Sequence, residues 1–159
     1  MIIFVSGVCG SGKSTICEYI KKHKLIKDYS VFDIDELENI TNYNEDTYNL
    51  FYKNAIDKAL SKNNNIILFS CINHNDIEDL KLDSTRSILI TCSNEEITNR
   101  LKNRDKNRNC SDDSFINEQI KYQDWFISNS EYYDFIFDNT DISVREISLK
   151  IVDEIENIL

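Results

Sequence analysis

The chain has 159 residues and a formal net charge of −10, with 18 Lys and Arg against 28 Asp and Glu. That length fits one domain with room for a hydrophobic core, and the acidic balance argues against nucleic acid as a main partner, because phosphate backbones are held by accumulated Lys and Arg. Five scattered cysteines without a C-x-x-C pair, and only two histidines, exclude a disulfide frame and a zinc centre and suit a reducing cytoplasm.

In chain order, Ile2–Ser6 is a short apolar, β-branched run that predicts a buried strand. Residues Gly7 to Ser14 read GVCGSGKS, and Thr15 to Ile20 continue as a helix. Ser30–Ile34 predicts the second strand. Thr47–Ser61 carries Leu50, Phe51, Ala55, Ile56, Ala59 and Leu60 at spacings of three and four, a one-faced helix. Asn63, Asn64 and Asn65 supply a turn, since Asn tolerates the left-handed conformation. Ile66–Cys71 and Ser87–Cys92 predict two further strands. Ser111–Ser130 repeats the helical pattern through Phe115, Ile116, Ile120, Trp125, Phe126 and Ile127. Asp134–Asp138 predicts the fifth strand, and Ser143–Leu159 a last helix, with Ile147, Ile151, Ile155 and Leu159 on one stripe and Ser143 and Glu146 as its capping box. Near-continuously apolar strands alternating with helices imply a parallel sheet covered on both faces.

The segment GVCGSGKS matches the phosphate-binding pattern G-x-x-x-x-G-K-[ST], flanked as it must be by a strand and a helix. Its glycines, Gly7, Gly10 and Gly12, are the only three in a chain that has no proline. They let the main-chain N–H groups of Gly7, Val8, Cys9, Gly10, Ser11 and Gly12 converge, and the helix N-terminus adds positive potential there. The pattern assigns Lys13 to the β- and γ-phosphates and the Ser14 hydroxyl to Mg²⁺. Cys9 would serve through its main chain, while Cys17, Cys71 and Cys92 read as small buried apolar residues.

Ligands bind outside the carboxyl ends of parallel strands. After the second strand stand Asp33 and Asp35. Asp35 suits an acceptor hydroxyl and Asp33 the metal; Asp35 with Glu38 also fits a capping box, and Asp33 a solvated loop position. Of five arginines, Arg100, Arg104 and Arg108 are spaced by four, along one helix face if the helix extends that far. Such a face clamps phosphate and stabilises transferred charge, or is simply a solvated basic face with Lys102 and Lys106. Asn139 and Thr140, with Asp138 and Asp141, line a base pocket or form a plain strand-to-helix turn. His74 is a general base or a surface histidine, and Tyr122, Trp125, Phe126, Tyr132 and Tyr133 are core residues or a stacking platform.

With these residues in hand, the chain resembles the small P-loop kinases, a group that includes nucleoside monophosphate, shikimate and gluconate kinases. The resemblance implies an α/β, three-layer P-loop NTPase fold: a five-stranded parallel sheet in the order 2-3-1-4-5, helices on both faces and an arginine-bearing lid. It covers one domain, residues 1–159, with the lid at about 100–112. It implies catalytic Lys13, Asp35, Arg100 and Arg104, Thr15 at the α-phosphate, and Asn139 and Thr140 at adenine. Three family features are absent from the sequence: the glycine-rich turn after the third strand, the glycine–acidic–x–x–Phe–Arg stretch that holds a substrate carboxylate, and the proline-containing acceptor turn of adenylate kinases.

The function expected is transfer of the γ-phosphoryl group of Mg·ATP to a small acceptor, a nucleoside or nucleotide ahead of a hydroxy acid. A nucleotide-dependent switch or ATPase is the alternative from another class, and a polynucleotide kinase is disfavoured by charge. ATP is preferred over GTP because no N-K-x-D pattern stands at a strand end. No run approaches the roughly twenty apolar residues of a membrane helix, and Met1 leads directly into the first strand without a signal segment. A cytoplasmic protein is expected, and its oligomeric state is not legible.

Overall fold

The structure, a computed structural model, describes residues 1–37, 47–104 and 110–157. Its centre is a parallel sheet of β1 (Ile2–Ser6), β2 (Ser30–Asp33), β3 (Ile66–Phe69), β4 (Thr85–Thr91) and β5 (Phe135–Asp138), in the order β2-β3-β1-β4-β5. Every ladder is parallel, with Ile3 opposite both Ile67 and Arg86, so β1 lies at the centre. This is the expected fold.

Strand alternation divides the core in two. Ile3, Val5, Ile67, Phe69, Ile88 and Ile90 pack against α1 (Lys13–His23) and α6 (Val144–Asn157). Ile2, Phe4, Ile66 and Leu68 face the other way, onto α2 (Tyr48–Leu60) and the short α3 (His74–Asp79). A third cluster joins Leu89 and Val8 to α4 (Asn94–Lys102) and α5 (Asp113–Ser128). The stripe on α6 is buried through Ile147, Ile151 and Ile155, each contributing on the order of 1.5–3 kcal/mol relative to exposure. Among the described residues no helix is long and apolar enough to cross a membrane.

Several boundaries differ from the expected ones, and one helix is new; β4 begins two residues early, at Thr85, and ends at Thr91. Ile34 leaves β2 because the Asp33 carboxylate accepts from the Asp35 N–H at 3.3 Å and opens a 3-10 turn over Ile34–Glu36. Asp33, not Asp35, is therefore the cap; Glu38 lies outside the described residues. Ser70 and Cys71 turn away from β3, where the Ser70 hydroxyl accepts from the Ile72 N–H at 3.3 Å. The short α3 has no counterpart among the expected elements; Asn73 caps it by accepting from the Asp76 N–H at 3.1 Å. Helix α4 ends at Lys102, so Arg104 follows the helix instead of riding on it, and Arg108 lies outside the described residues, as does Leu159. The Ser143 cap on Glu146 is present at 3.2 Å.

Candidate active site

The phosphate loop runs from the end of β1 into α1, beneath the carboxyl edge of the sheet. Its glycines are sterically required. A Cβ on Gly7 would lie 2.5 Å from the Ile90 carbonyl oxygen. One on Gly12, at φ +95°, would lie 2.3 Å from the Asn139 side-chain nitrogen. The loop is braced from behind by the residues expected to serve the nucleotide base. Asn139 is buried; its side chain donates to the Ser11 carbonyl at 2.7 Å and its N–H to the Thr91 carbonyl at 2.8 Å. Thr140 ties two turns together, its hydroxyl accepting from the Ser93 N–H at 2.8 Å.

Arg100 belongs to the same brace. Its guanidinium donates to Glu96 at 2.7 Å, to the Gly10 carbonyl at 3.3 Å and to the Asn139 carbonyl at 2.8 Å. Three acceptors hold it against the loop, and it is not among the residues that line the cavity above. Arg104 differs: it lines the cavity above the loop and acts electrostatically on Cys9.

That cavity has a volume of about 850 Å³. At its phosphate end stand Cys9, Gly10, Gly12, Lys13 and Ser14; Asp33 and Asp35 enter from the end of β2. The far end is walled by Tyr48, Phe51 and Tyr52 of α2, Asp76 and Asp79 of α3, and Phe115 and Tyr122 of α5. Thr15 is exposed on the first turn of α1 and is absent from the walls. Gly7, Val8 and Ser11 are buried in the loop itself: Val8 packs into the third core cluster and its carbonyl accepts from the Lys13 ammonium at 2.7 Å. Lys13 also reaches the Ser11 hydroxyl at 3.5 Å.

The residues present fit Mg²⁺ and a polyphosphate. A lysine is buried in the glycine loop, and a hydroxyl and a carboxylate, Ser14 and Asp33, line the same cavity. Few protein ligands are expected for a magnesium ion that shares phosphate oxygens. The described residues contain no group of three or more metal-ligating side chains.

Sequence reasoning missed the role of α5. Gln119 accepts from the Cys9 N–H at 3.0 Å, and the Tyr122 hydroxyl donates to the Cys71 carbonyl at 3.0 Å. One turn apart, they share a helix face. Gln123 is buried and clasps Cys92, accepting from its N–H at 3.1 Å and donating to its carbonyl at 2.6 Å. Nothing in the helical periodicity separates these polar positions from solvent-facing ones. Cys71 is only partly buried and lines the cavity, so it is not the core residue expected. Interaction with the neighbouring Cys9 thiol, then with the Lys13 ammonium, lowers the Cys71 pKa against the effect of burial; Cys9 is raised by the same interaction and by burial. Burial raises the Asp76 pKa above the ordinary carboxylate value, opposed by a hydrogen bond with Tyr48.

His74 is excluded from the site. Its ring is buried between Trp125 and Tyr132, with centroids 5.2 and 4.4 Å away and nearly parallel planes. These aromatics form a structural stack, not a platform in the cavity; of the five candidates only Tyr122 reaches the walls.

A family model described as AAA domain matches residues 3–124. The chain belongs to the AAA-domain family. No curated protein matches it significantly. Among solved structures, this AAA-domain chain is similar to shikimate kinase from Acinetobacter baumannii in complex with shikimate, with a TM-score of 0.69 and 15% identity over 98% of this chain and 93% of that one. A gluconokinase from Sinorhizobium meliloti gives a TM-score of 0.67 and 16% identity, covering 98% and 94%. Shikimate kinase from Aquifex aeolicus gives 0.58 and 17%, covering 99% and 97%. The AAA-domain chain thus has the fold of the small P-loop kinases.

Proposed function

We propose that the protein is an ATP-dependent small-molecule kinase, moving the γ-phosphoryl group of ATP to a hydroxyl acceptor. The observation that carries this reading is a continuous cavity in which the phosphate loop, the Asp33–Asp35 pair and Arg104 meet a second, aromatic-walled compartment. The loop amides and Lys13 hold the triphosphate, Arg104 stabilises charge on the transferred group, and Asp35 orients the acceptor hydroxyl and accepts its proton. Magnesium, held through Ser14 and Asp33, would neutralise charge on the phosphate oxygens. Arg100 and Asn139 support the loop from behind, and Thr140 ties the turn after β5 to the one after β4.

For the acceptor, we read a nucleoside ahead of a nucleotide. The walls Tyr48, Phe51, Tyr52, Phe115 and Tyr122 suit a flat, uncharged body, while Asp76 and Asp79 oppose a second anionic group. The two cations among the described wall residues, Lys13 and Arg104, belong to the phosphate end. A hydroxy-acid acceptor is the second reading, favoured by the likeness in fold to the A. baumannii enzyme, which was solved with shikimate. A panel of nucleosides, nucleotides and hydroxy acids, incubated with γ-labelled ATP, tests both. Transfer to a nucleoside is expected; transfer to a hydroxy acid overturns the acceptor reading, and slow hydrolysis with every acceptor overturns kinase activity.

A further inference from the structure

We propose that Cys9 and Cys71 form a reversible modification site: a two-electron oxidant such as a peroxide joins them in a disulfide that disables the nucleotide site. The argument begins with placement. Cys9 lies in the phosphate loop and Cys71 just past β3, yet both line the same cavity and their thiols act on each other. Their backbones are held by one face of one helix, Cys9 through Gln119 and Cys71 through Tyr122. Of the other cysteines, Cys17 and Cys92 are buried, and Cys110 is half-buried and packs against the same core cluster as Cys9; none of the three lines the cavity.

Chemistry favours the same pair. Lys13 lies beside Cys71 and favours its thiolate, the form that attacks. The Cys71 sulfur displaces water from hydrogen peroxide, breaking the O–O bond and leaving a sulfenic acid. The Cys9 sulfur then attacks that sulfur, forming the S–S bond and releasing a second water. Two thiols and one peroxide thus give one disulfide and two waters. A dithiol reverses the bond by exchange. The bridge ties the loop to the sheet edge between Lys13 and Asp35, where the transferred group would pass.

The test treats the whole protein with hydrogen peroxide and maps its peptides without reduction. Cleavage after Lys13 separates Cys9 from Cys17, so the two are distinguishable. A Cys9–Cys71 linked peptide is expected, together with at least tenfold weaker binding of Mg·ATP, restored by dithiothreitol. A different linkage, no linkage, or a linkage that leaves binding unchanged overturns the proposal. The Cys71→Ser variant, compared with its own untreated baseline, should lose the peroxide sensitivity; sensitivity that persists counts against the pair. Should that variant not fold, differential alkylation of the unmodified chain decides the same question: Cys9 and Cys71 must become protected together. Titration of the reduced protein with Mg·ATP tests the kinase reading separately, because peptide mapping needs no nucleotide.

Discussion

The side-chain nitrogen of Asn139 lies 2.7 Å from the Ser11 carbonyl oxygen, and only 2.3 Å from where a Cβ of Gly12 would sit. A residue from the far end of the chain thus closes the back of the phosphate loop. Gly12→Ala meets this contact and a left-handed φ of +95° together. It should destabilise the fold by about 1–3 kcal/mol and remove Mg·ATP binding. Denaturant unfolding and calorimetric titration read the two effects. In Gly12→Ala with Asn139→Ala the losses should be less than additive, since the clash is removed once; simple additivity would show that backbone strain alone matters.

Arg100 and Arg104 should separate cleanly. Arg100→Ala breaks contacts to Glu96, Gly10 and Asn139 and should lower stability by about 1–3 kcal/mol. Arg104→Ala should leave unfolding nearly unchanged and reduce phosphoryl transfer. A loss of turnover in Arg100→Ala at temperatures where the variant is fully folded and binds ATP normally would return Arg100 to the catalytic group.

Asp35→Asn distinguishes a kinase from a nucleotide-dependent switch. As the proposed proton acceptor, its loss should slow transfer by about 10²–10⁴-fold while the affinity for Mg·ATP is kept. Rapid-quench measurement of labelled product gives the rate directly. Turnover within a few-fold of the parent would argue for a switch.

Asp76 predicts a pH dependence of stability. Burial raises its folded pKa, so the fold tolerates the protonated carboxyl better than the charged one. Its favourable contribution is present below the ordinary carboxylate pKa and is lost as pH rises through the folded value. Asp76→Asn should therefore gain stability relative to the parent between acid and neutral pH. Urea unfolding at stepped pH measures this; a gap that narrows toward neutrality would contradict it.

The parallel sheet was legible because the apolar runs at Ile2–Ser6 and Ile66–Phe69 are uninterrupted and the glycine loop fixes where β1 ends. That Lys13, Ser14, Asp33 and Asp35 share one cavity was legible, since strand ends converge there in any such sheet. For Arg100, spacing by four gives a helix face but not that face's neighbours, which include the Gly10 and Asn139 carbonyls. Gln119 and Gln123 were invisible for the opposite reason, being polar side chains turned inward on an amphipathic helix. Cys71 escaped because β3 ends two residues before it, so strand alternation does not govern which way it points. His74 looked like a loop residue until α3 formed and carried it into the aromatic stack.

The contacts of Lys13 with Val8 and of the Cys9 N–H with Gln119 bear on how a phosphate tail is recognised. The Cys9 N–H and two of the three ammonium N–H groups of Lys13 already have oxygen partners within the fold, so capture through these donors is in large part an exchange of acceptors. Selectivity then rests on formal charge, because a phosphate oxygen accepts roughly twice as strongly as a neutral carbonyl. A neutral isostere of the triphosphate should consequently be ignored by this loop, however well it fits.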